Sequence, residues 1–226
     1  MKIVKSSFIK TLTSEMADRG YMPVTVSLPM QTVYAFEKAI SPDMYCQIVF
    51  RYMASPKAYD VSVGVDNMLI RLDVEKTLEK FSILAGGLAY SSAVSPNACI
   101  LFNADVFTKS NIGEVLPAKA DQVELYLDIL FANAVRPIFE TVTDKQKLLQ
   151  LLLRTDAPFN RGFYSRRVMY IAKIACMIQS DWALIRAQLQ KIENHLRNDA
   201  HTEKYPGPLI DDIYTHFSGI KHLANT

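Results

Sequence analysis

The chain has 226 residues, of which 50% are hydrophobic and 21% are charged, and its formal net charge is +2. This length can bury one large core or two small ones, and the balance of apolar to charged residues excludes an intrinsically disordered protein. A net charge so close to zero argues against a protein that binds nucleic acid or an acidic membrane through bulk electrostatics.

The compartment is predicted from the N-terminus, the apolar runs and the cysteines. Met1–Phe8 lacks the apolar region and cleavage site of a signal peptide, and Leu148–Leu153 is far shorter than the ~20 residues that span a bilayer. Cys46, Cys99 and Cys176 are widely spaced among apolar neighbours, as is typical of buried thiols in a reducing compartment. We therefore expect a cytoplasmic protein that has no membrane segment.

The first predicted element is an amphipathic helix. Apolar residues recur every four positions at Val4, Phe8, Leu12 and Met16, which places them on one face. Gly20 follows the last turn, where a residue in the left-handed conformation commonly ends a helix. The apolar face of this helix needs a sheet or another helix to cover it.

Strands are predicted next, from runs in which apolar and polar residues alternate. The four runs are Val24–Leu28, Thr32–Ala39, Met44–Met53 and Ala58–Val65. Short turn signals separate the later runs, which favours an antiparallel meander. One face of this sheet is expected to pack on helices and the other to be partly wet.

The middle of the chain has weaker patterns. Asp73 is placed to cap a short helix from Val74 to about Leu84, and Gly86-Gly87 would end it. Residues 88–97 are predicted to form a loop, and the apolar run Cys99–Phe102 predicts a fifth strand.

The C-terminal half is predicted to be helical, in five segments. They are Gln122–Val135, Asp144–Arg154, Tyr164–Ile178, Asp181–Arg197 and Leu209–Leu223. Pro137 comes just after the first segment, Thr143 to Gln146 form a capping-box pattern, and Ser180 can cap the second helix of a hairpin.

These elements predict an α+β fold. An antiparallel meander of four to five strands packs against the N-terminal helix, and the C-terminal half is helical. The two parts, 1–118 and 119–226, are expected to share one core because no Pro/Gly/Ser-rich linker separates them.

Common catalytic and metal-binding patterns are missing from the sequence. It lacks the glycine-rich phosphate loops and the GxSxG nucleophile elbow. The histidines, His195, His201, His216 and His222, are six or more residues apart, whereas helical metal ligands are three or four apart. We therefore nominate no catalytic residue, metal ligand or cofactor.

One segment combines arginine with aromatic residues, as protein interfaces and single-stranded nucleic acid grooves do. Its members are Arg154, Phe159, Arg161, Phe163, Tyr164, Arg166 and Arg167. A solvated helix start with aromatic anchors, a partner-protein surface and a nucleic acid groove all fit the pattern, and the near-neutral charge disfavours the last.

An enzyme or small-ligand-binding protein is the alternative. Its pocket would lie between the sheet and the helices. The candidate lining residues are Tyr45, Arg51, Tyr52, Tyr59 and Asp60.

The strand phrases resemble those of a known group. Tyr45–Phe50 reads YCQIVF, Tyr59–Val65 reads YDVSVGV, and Ile138–Glu140 precedes the capped helix. This order resembles small bacterial cytosolic proteins of unknown function that have a helix-plus-antiparallel-sheet core, some of them linked to immunity against polymorphic toxins. The resemblance implies a non-enzymatic protein-binding factor whose partner is a cognate toxin. It does not cover residues 86–118 or the tail after 199, and it assigns no functional residue.

Overall fold

A computed structural model describes residues 2–24, 32–54, 57–80, 100–103, 116–154, 164–196 and 207–224. Within these ranges the chain forms seven α-helices and six β-strands. The helices are α1 (Lys2–Asp18), α2 (Met68–Lys80), α3 (Val123–Leu130), α4 (Lys145–Leu152), α5 (Tyr164–Met177), α6 (Trp182–Leu196) and α7 (Gly207–Ala224). The strands are β1 (Met22–Val24), β2 (Val33–Ser41), β3 (Met44–Met53), β4 (Ala58–Asp66), β5 (Ile100–Asn103) and β6 (Leu116–Pro117).

The strands form one antiparallel sheet. Their order is β1-β2-β3-β4-β5, and β6 pairs with β4 beside β5. Ile48 of β3 lies opposite Phe36 on one side and Val63 on the other, and Val63 lies opposite Phe102. The α+β class and the meander are therefore confirmed. The sequence patterns did not predict the two-residue strand β6. Strand β1 shares only Val24 with the predicted run Val24–Leu28, whose other residues lie outside the described ones.

One face of the sheet, which we call the core face, is sealed by helices. Phe8, Leu12 and Met16 of α1 are fully buried in the same hydrophobic cluster as Ile48 and Phe50 of β3. This arrangement confirms the predicted apolar stripe of α1. The helix ends as expected, because Gly20 adopts a φ of +81° and the N–H of Tyr21 donates to the carbonyl of Met16 at 2.9 Å.

The opposite face, which we call the second face, was expected to be partly wet, and that expectation was wrong for its centre. Gln47 is fully buried, Val49 is 4% exposed and Ser62 is 9% exposed. Water is therefore excluded from both faces of β3 and β4 over most of their length. The second face opens towards the strand ends, where Tyr45 is 37% exposed and Arg51 is half-buried.

Helix α2 begins earlier than predicted. Its first residue is Met68 rather than Val74, because Asn67 supplies the N-cap: its side-chain oxygen accepts the N–H of Ile70 at 3.1 Å. Asp73, the predicted cap, lies inside the helix and pairs with Lys173 of α5 at 2.5 Å. The predicted end of this helix, at Gly86-Gly87, lies outside the described residues.

Two other helix caps differ from the predicted ones by one residue. Asp144, not Thr143, caps α4, because its carboxylate accepts the N–H of Lys147 at 2.8 Å. Asp181, not Ser180, caps α6, because its carboxylate accepts the N–H of Ala183 at 2.9 Å. In both places a carboxylate follows a hydroxyl residue, and the helix begins after the carboxylate.

Pro137 was predicted just beyond a helix and instead lies inside one. After α3 the chain continues as a π-helix, Phe131–Phe139, in which hydrogen bonds span five residues. The N–H of Glu140 accordingly donates to the carbonyl of Val135 at 2.9 Å. The wider turn tolerates a residue that has no N–H, and it carries Glu140 towards the sheet.

The C-terminal helices join the same core. Helix α5 packs against α2, α4 and α7, and its buried residues belong to the cluster that contains Phe8 and Ile48. Trp182 of α6 stacks on Tyr214 of α7 with the ring centroids 4.0 Å apart. Among the described residues, no helix is both long enough and apolar enough to span a membrane.

Candidate functional site

Arg167, one of the nominated interface residues, has a structural contact. Its Nε donates to the carbonyl oxygen of Leu152 at 2.6 Å, and its Nη2 donates to the carbonyl oxygen of Arg154. The guanidinium therefore satisfies carbonyls at the C-terminal end of α4, where a cation is also favoured by the helix dipole. Arg167 holds the start of α5 against the end of α4.

The rest of the arginine/aromatic segment stays a prediction. Phe159, Arg161 and Phe163 lie outside the described residues, as do the side chains of Tyr164 and Arg166 at the start of α5. Arg154 is half-buried at the end of α4.

The five residues nominated for a small-ligand pocket do not share one face. Tyr52 lies directly opposite Tyr59 on the core face, whereas Arg51 lies opposite Asp60 on the second face and forms an ion pair with it. Tyr45 also belongs to the second face, because it is six residues before Arg51 on the same strand. A single pocket between the sheet and the helices can therefore include Tyr52 and Tyr59 only.

The second face carries polar side chains that sequence reasoning missed. Gln47 donates its side-chain N–H to Glu37 of β2, the residue directly opposite it. Asp66, at the end of β4, accepts the Nε–H of Arg71 of α2 at 3.0 Å. Burial raises the pKa of Glu37, and the hydrogen bond from Gln47 lowers it in part. These side chains form a layer of hydrogen-bonded polar groups on the second face. Strand patterning predicts that this face is polar but does not predict its hydrogen bonds.

A second polar network connects the π-helix to the sheet. Glu140 accepts a hydrogen bond from the Tyr21 hydroxyl at 3.0 Å and another from Lys38 Nζ at 2.9 Å. Cys46 lies beside Tyr21 at the core end of this network, and burial raises the pKa of its thiol to about 12. A thiol that stays protonated at neutral pH is a poor nucleophile, and the described contacts of this network join the π-helix to the sheet.

Helix α2 has apolar side chains on both of its sides. Ile70 and Val74 are fully buried in the core, whereas Met68, Leu69 and Leu72 are 56%, 61% and 39% exposed. We call the last three the α2 apolar patch. An amphipathic helix at a protein surface normally turns polar side chains outwards, so this patch departs from the usual pattern.

Only one of the four histidine side chains belongs to the described part of the chain. His216 of α7 is half-buried, with its ring centroid 5.6 Å from that of Phe217. The side chains of His195, His201 and His222 lie outside the described residues. In the part of the chain that the structure describes, no group of three or more His, Cys, Asp or Glu residues is placed to hold a metal ion.

Comparison with known proteins adds no relative. No family model, curated protein or solved structure matches this chain. The likeness of the strand phrases to immunity-type proteins therefore stays a prediction.

Proposed function

We propose that this protein is a non-enzymatic protein-binding factor that docks a partner protein on the α2 apolar patch. The observation that carries the proposal is the outward exposure of Met68, Leu69 and Leu72 on a helix whose other side is already committed to the core. Apolar side chains clustered on a surface in this way are typical of interfaces, and Met and Leu supply adaptable contact area.

The surroundings of the patch favour a partner protein over random exposure. Helix α2 is anchored at its N-terminus by the Asn67 cap and near its middle by the ion pair from Asp73 to Lys173 of α5. Arg71, between the exposed residues, is held by Asp66. The patch is therefore presented by a backbone that is fixed before binding, which lowers the entropic cost of association.

The specific form of this function that the strand resemblance implies is toxin immunity. An immunity protein acts by occluding a toxin, for which a rigid surface that carries a few apolar anchors is sufficient. The specific proposal is that the partner is a cognate toxin. The surface of the toxin that contacts Leu69 would then be apolar.

The experiment compares a patch variant with a matched surface variant. Leu69→Ser removes an apolar side chain that is 61% exposed, and Leu184→Ser on α6 removes one that is 67% exposed. A partner captured from the native host is purified and titrated against the three proteins. We expect Leu69→Ser to weaken binding by about tenfold or more while Leu184→Ser binds like the wild type.

Two outcomes would contradict the proposal. Equal binding by both variants would place the partner elsewhere. A wild-type protein that dimerises through the patch, and that becomes monomeric in the Leu69→Ser variant by analytical ultracentrifugation, would show that a second copy covers it. The toxin form is tested separately, because co-expression should protect cells from the toxin only when Leu69 is intact.

A second candidate function is a small-ligand-binding protein or an enzyme, and one observation favours it. Tyr59, one of the nominated pocket residues, is fully buried, and its hydroxyl oxygen has no hydrogen-bond partner among the described residues. A thermal-shift screen with metabolites tests this alternative, since a ligand that binds the native state raises the melting temperature.

A further inference from the structure

Tyr59 lies at the centre of an aromatic cluster between the sheet and α1. Its ring stacks on Phe8 with centroids 4.5 Å apart and planes 6° apart. Tyr52, directly opposite on β3, has its centroid 5.3 Å away, and Tyr34 of β2 has its centroid 6.2 Å away. Three aromatic rings therefore pack around the ring of Tyr59 on the core face, near the ends of β2, β3 and β4.

The hydroxyl of Tyr59 is the unusual feature of this cluster. The side chain is fully buried, yet no group in the described part of the chain bonds to its oxygen. Burial raises the pKa of Tyr59, and the nearby Tyr34 and Tyr52 raise it further. The hydroxyl therefore keeps its proton at neutral pH and can donate a hydrogen bond. Buried hydroxyls in native proteins are almost always satisfied, by protein or by a bound molecule.

The members of the cluster differ in their exposure to solvent. Tyr34 and Tyr52 are only half-buried, whereas Tyr59 and Phe8 are fully buried. Aromatic side chains beside one polar group that lacks a partner are typical of sites for small molecules, because the rings supply contact area and the polar group fixes orientation.

We propose that the Tyr59 hydroxyl is the polar end of a binding site for a small molecule that presents an oxygen acceptor. Phe8, Tyr34 and Tyr52 form its aromatic surroundings. Bound water and the oxygen of a small aromatic ligand share this chemistry, and the experiment distinguishes them. The inference deepens the second candidate function and is independent of the α2 apolar patch.

The first measurement is the sign of a change in melting temperature. Tyr59→Phe removes the hydroxyl and keeps the ring. If the hydroxyl donates to a bound molecule, the variant melts at a lower temperature than the wild type. If the hydroxyl is unsatisfied in the ligand-free protein, its removal relieves a desolvation penalty and the variant melts at the same or a higher temperature. This result would overturn the proposal unless phenol raises the melting temperature of the wild type and not that of the variant.

Two matched variants calibrate that result. Tyr21→Phe removes a buried hydroxyl whose partner, Glu140, is known, and should lower the melting temperature. Tyr34→Phe removes the hydroxyl of a half-buried tyrosine in the same cluster and should change the melting temperature less than Tyr59→Phe does. A fold-wide defect is excluded when each variant keeps the circular dichroism spectrum of the wild type.

The second measurement identifies the molecule. A crystal structure of the full chain should show density about 3 Å from Tyr59 Oη. Phenol at millimolar concentration is the probe for a ligand-sized site. A rise in melting temperature with phenol that is absent from Tyr59→Phe assigns a ligand site, and density for one water without such a rise assigns a solvent site. The proposal would be overturned if the crystal structure showed no density near Tyr59 Oη and phenol did not change the melting temperature.

Discussion

Both faces of the sheet are buried at its centre, but their chemistry differs. On the core face, Ile48 and Val63 belong to the large hydrophobic cluster that helices from both halves of the chain complete. On the second face, Val49 is 4% exposed but lies outside that cluster, next in space to the bonded pair Glu37 and Gln47. Burial by itself therefore does not make a hydrophobic core, because polar groups can be buried where each one finds a partner.

The largest expected effect tests whether the apolar residues of the two faces are equally important. Val63→Ala on the core face and Val49→Ala on the second face delete the same atoms. We expect Val63→Ala to lower the free energy of unfolding by about 2–3 kcal/mol, since transfer and cavity costs add, and Val49→Ala to lower it by roughly 1–2 kcal/mol. Urea denaturation measures both. Equal losses of unfolding free energy would show that the apolar residues of the two faces contribute equally to stability.

The next effect concerns the polar layer. Gln47→Ala leaves the half-buried carboxylate of Glu37 without the donor from β3, and we expect a loss of about 1–2 kcal/mol in the free energy of unfolding. The double variant Glu37→Ala/Gln47→Ala should lose less than the sum of the single variants, since the two side chains interact. Strictly additive losses would show that the pair contributes nothing as a pair.

A smaller effect is expected where the second face opens to water. The side chains of Arg51 and Asp60 are 32% and 19% exposed, so their ion pair is partly screened. Arg51→Ala should lower the free energy of unfolding by at most about 1 kcal/mol, and the difference from wild type should shrink in high salt. A larger loss of unfolding free energy that does not depend on salt would show that water is also excluded from this end of the second face.

The smallest effect depends on pH and has opposite signs at two carboxylates. The pKa of Glu37 is raised in the folded state by burial, so its stabilising contribution is full below its unfolded pKa and is lost as the pH rises through the folded pKa. Glu37→Gln should therefore melt slightly higher than wild type at neutral pH and approach it near pH 4.

Asp43 provides the control for that experiment. The hydrogen bond from Lys145 holds the pKa of Asp43 below its usual value, so its contribution is present above the unfolded pKa and is lost as the pH falls through the folded pKa. Asp43→Asn should melt lower than wild type at neutral pH, and the difference should disappear in acid. The same sign for both variants would contradict the assigned burial of Glu37.

The sequence supported prediction best where a local pattern is enough. Strand β3 has the predicted bounds, and Phe8, Leu12 and Met16 form the buried stripe of α1 as expected. The start of α2 was wrong because two capping residues compete, and Asn67 is favoured once its amide also donates to Asp43 of the β2–β3 turn, at 3.1 Å. That contact joins residues distant in sequence, so no local rule contains it.

The candidate sites were harder to predict from the sequence than the helices and strands. Arg167 was nominated for its charge beside aromatic residues, but its partners are carbonyls at the end of a different helix. The α2 apolar patch was missed, because the helix was predicted to begin at Val74, and because only its packing shows that Ile70 faces the core while Met68, Leu69 and Leu72 do not. Tyr59 was nominated with four others, of which only Tyr52 shares its face.

The sequence by itself determined which residues alternate, and therefore which side chains share a face of each strand and which stripe of α1 is apolar. Tertiary structure alone decided whether each face meets water, a helix or a polar partner. The physical reason is that periodicity follows from the backbone geometry of one segment, whereas burial and hydrogen bonding depend on which distant segments reach it.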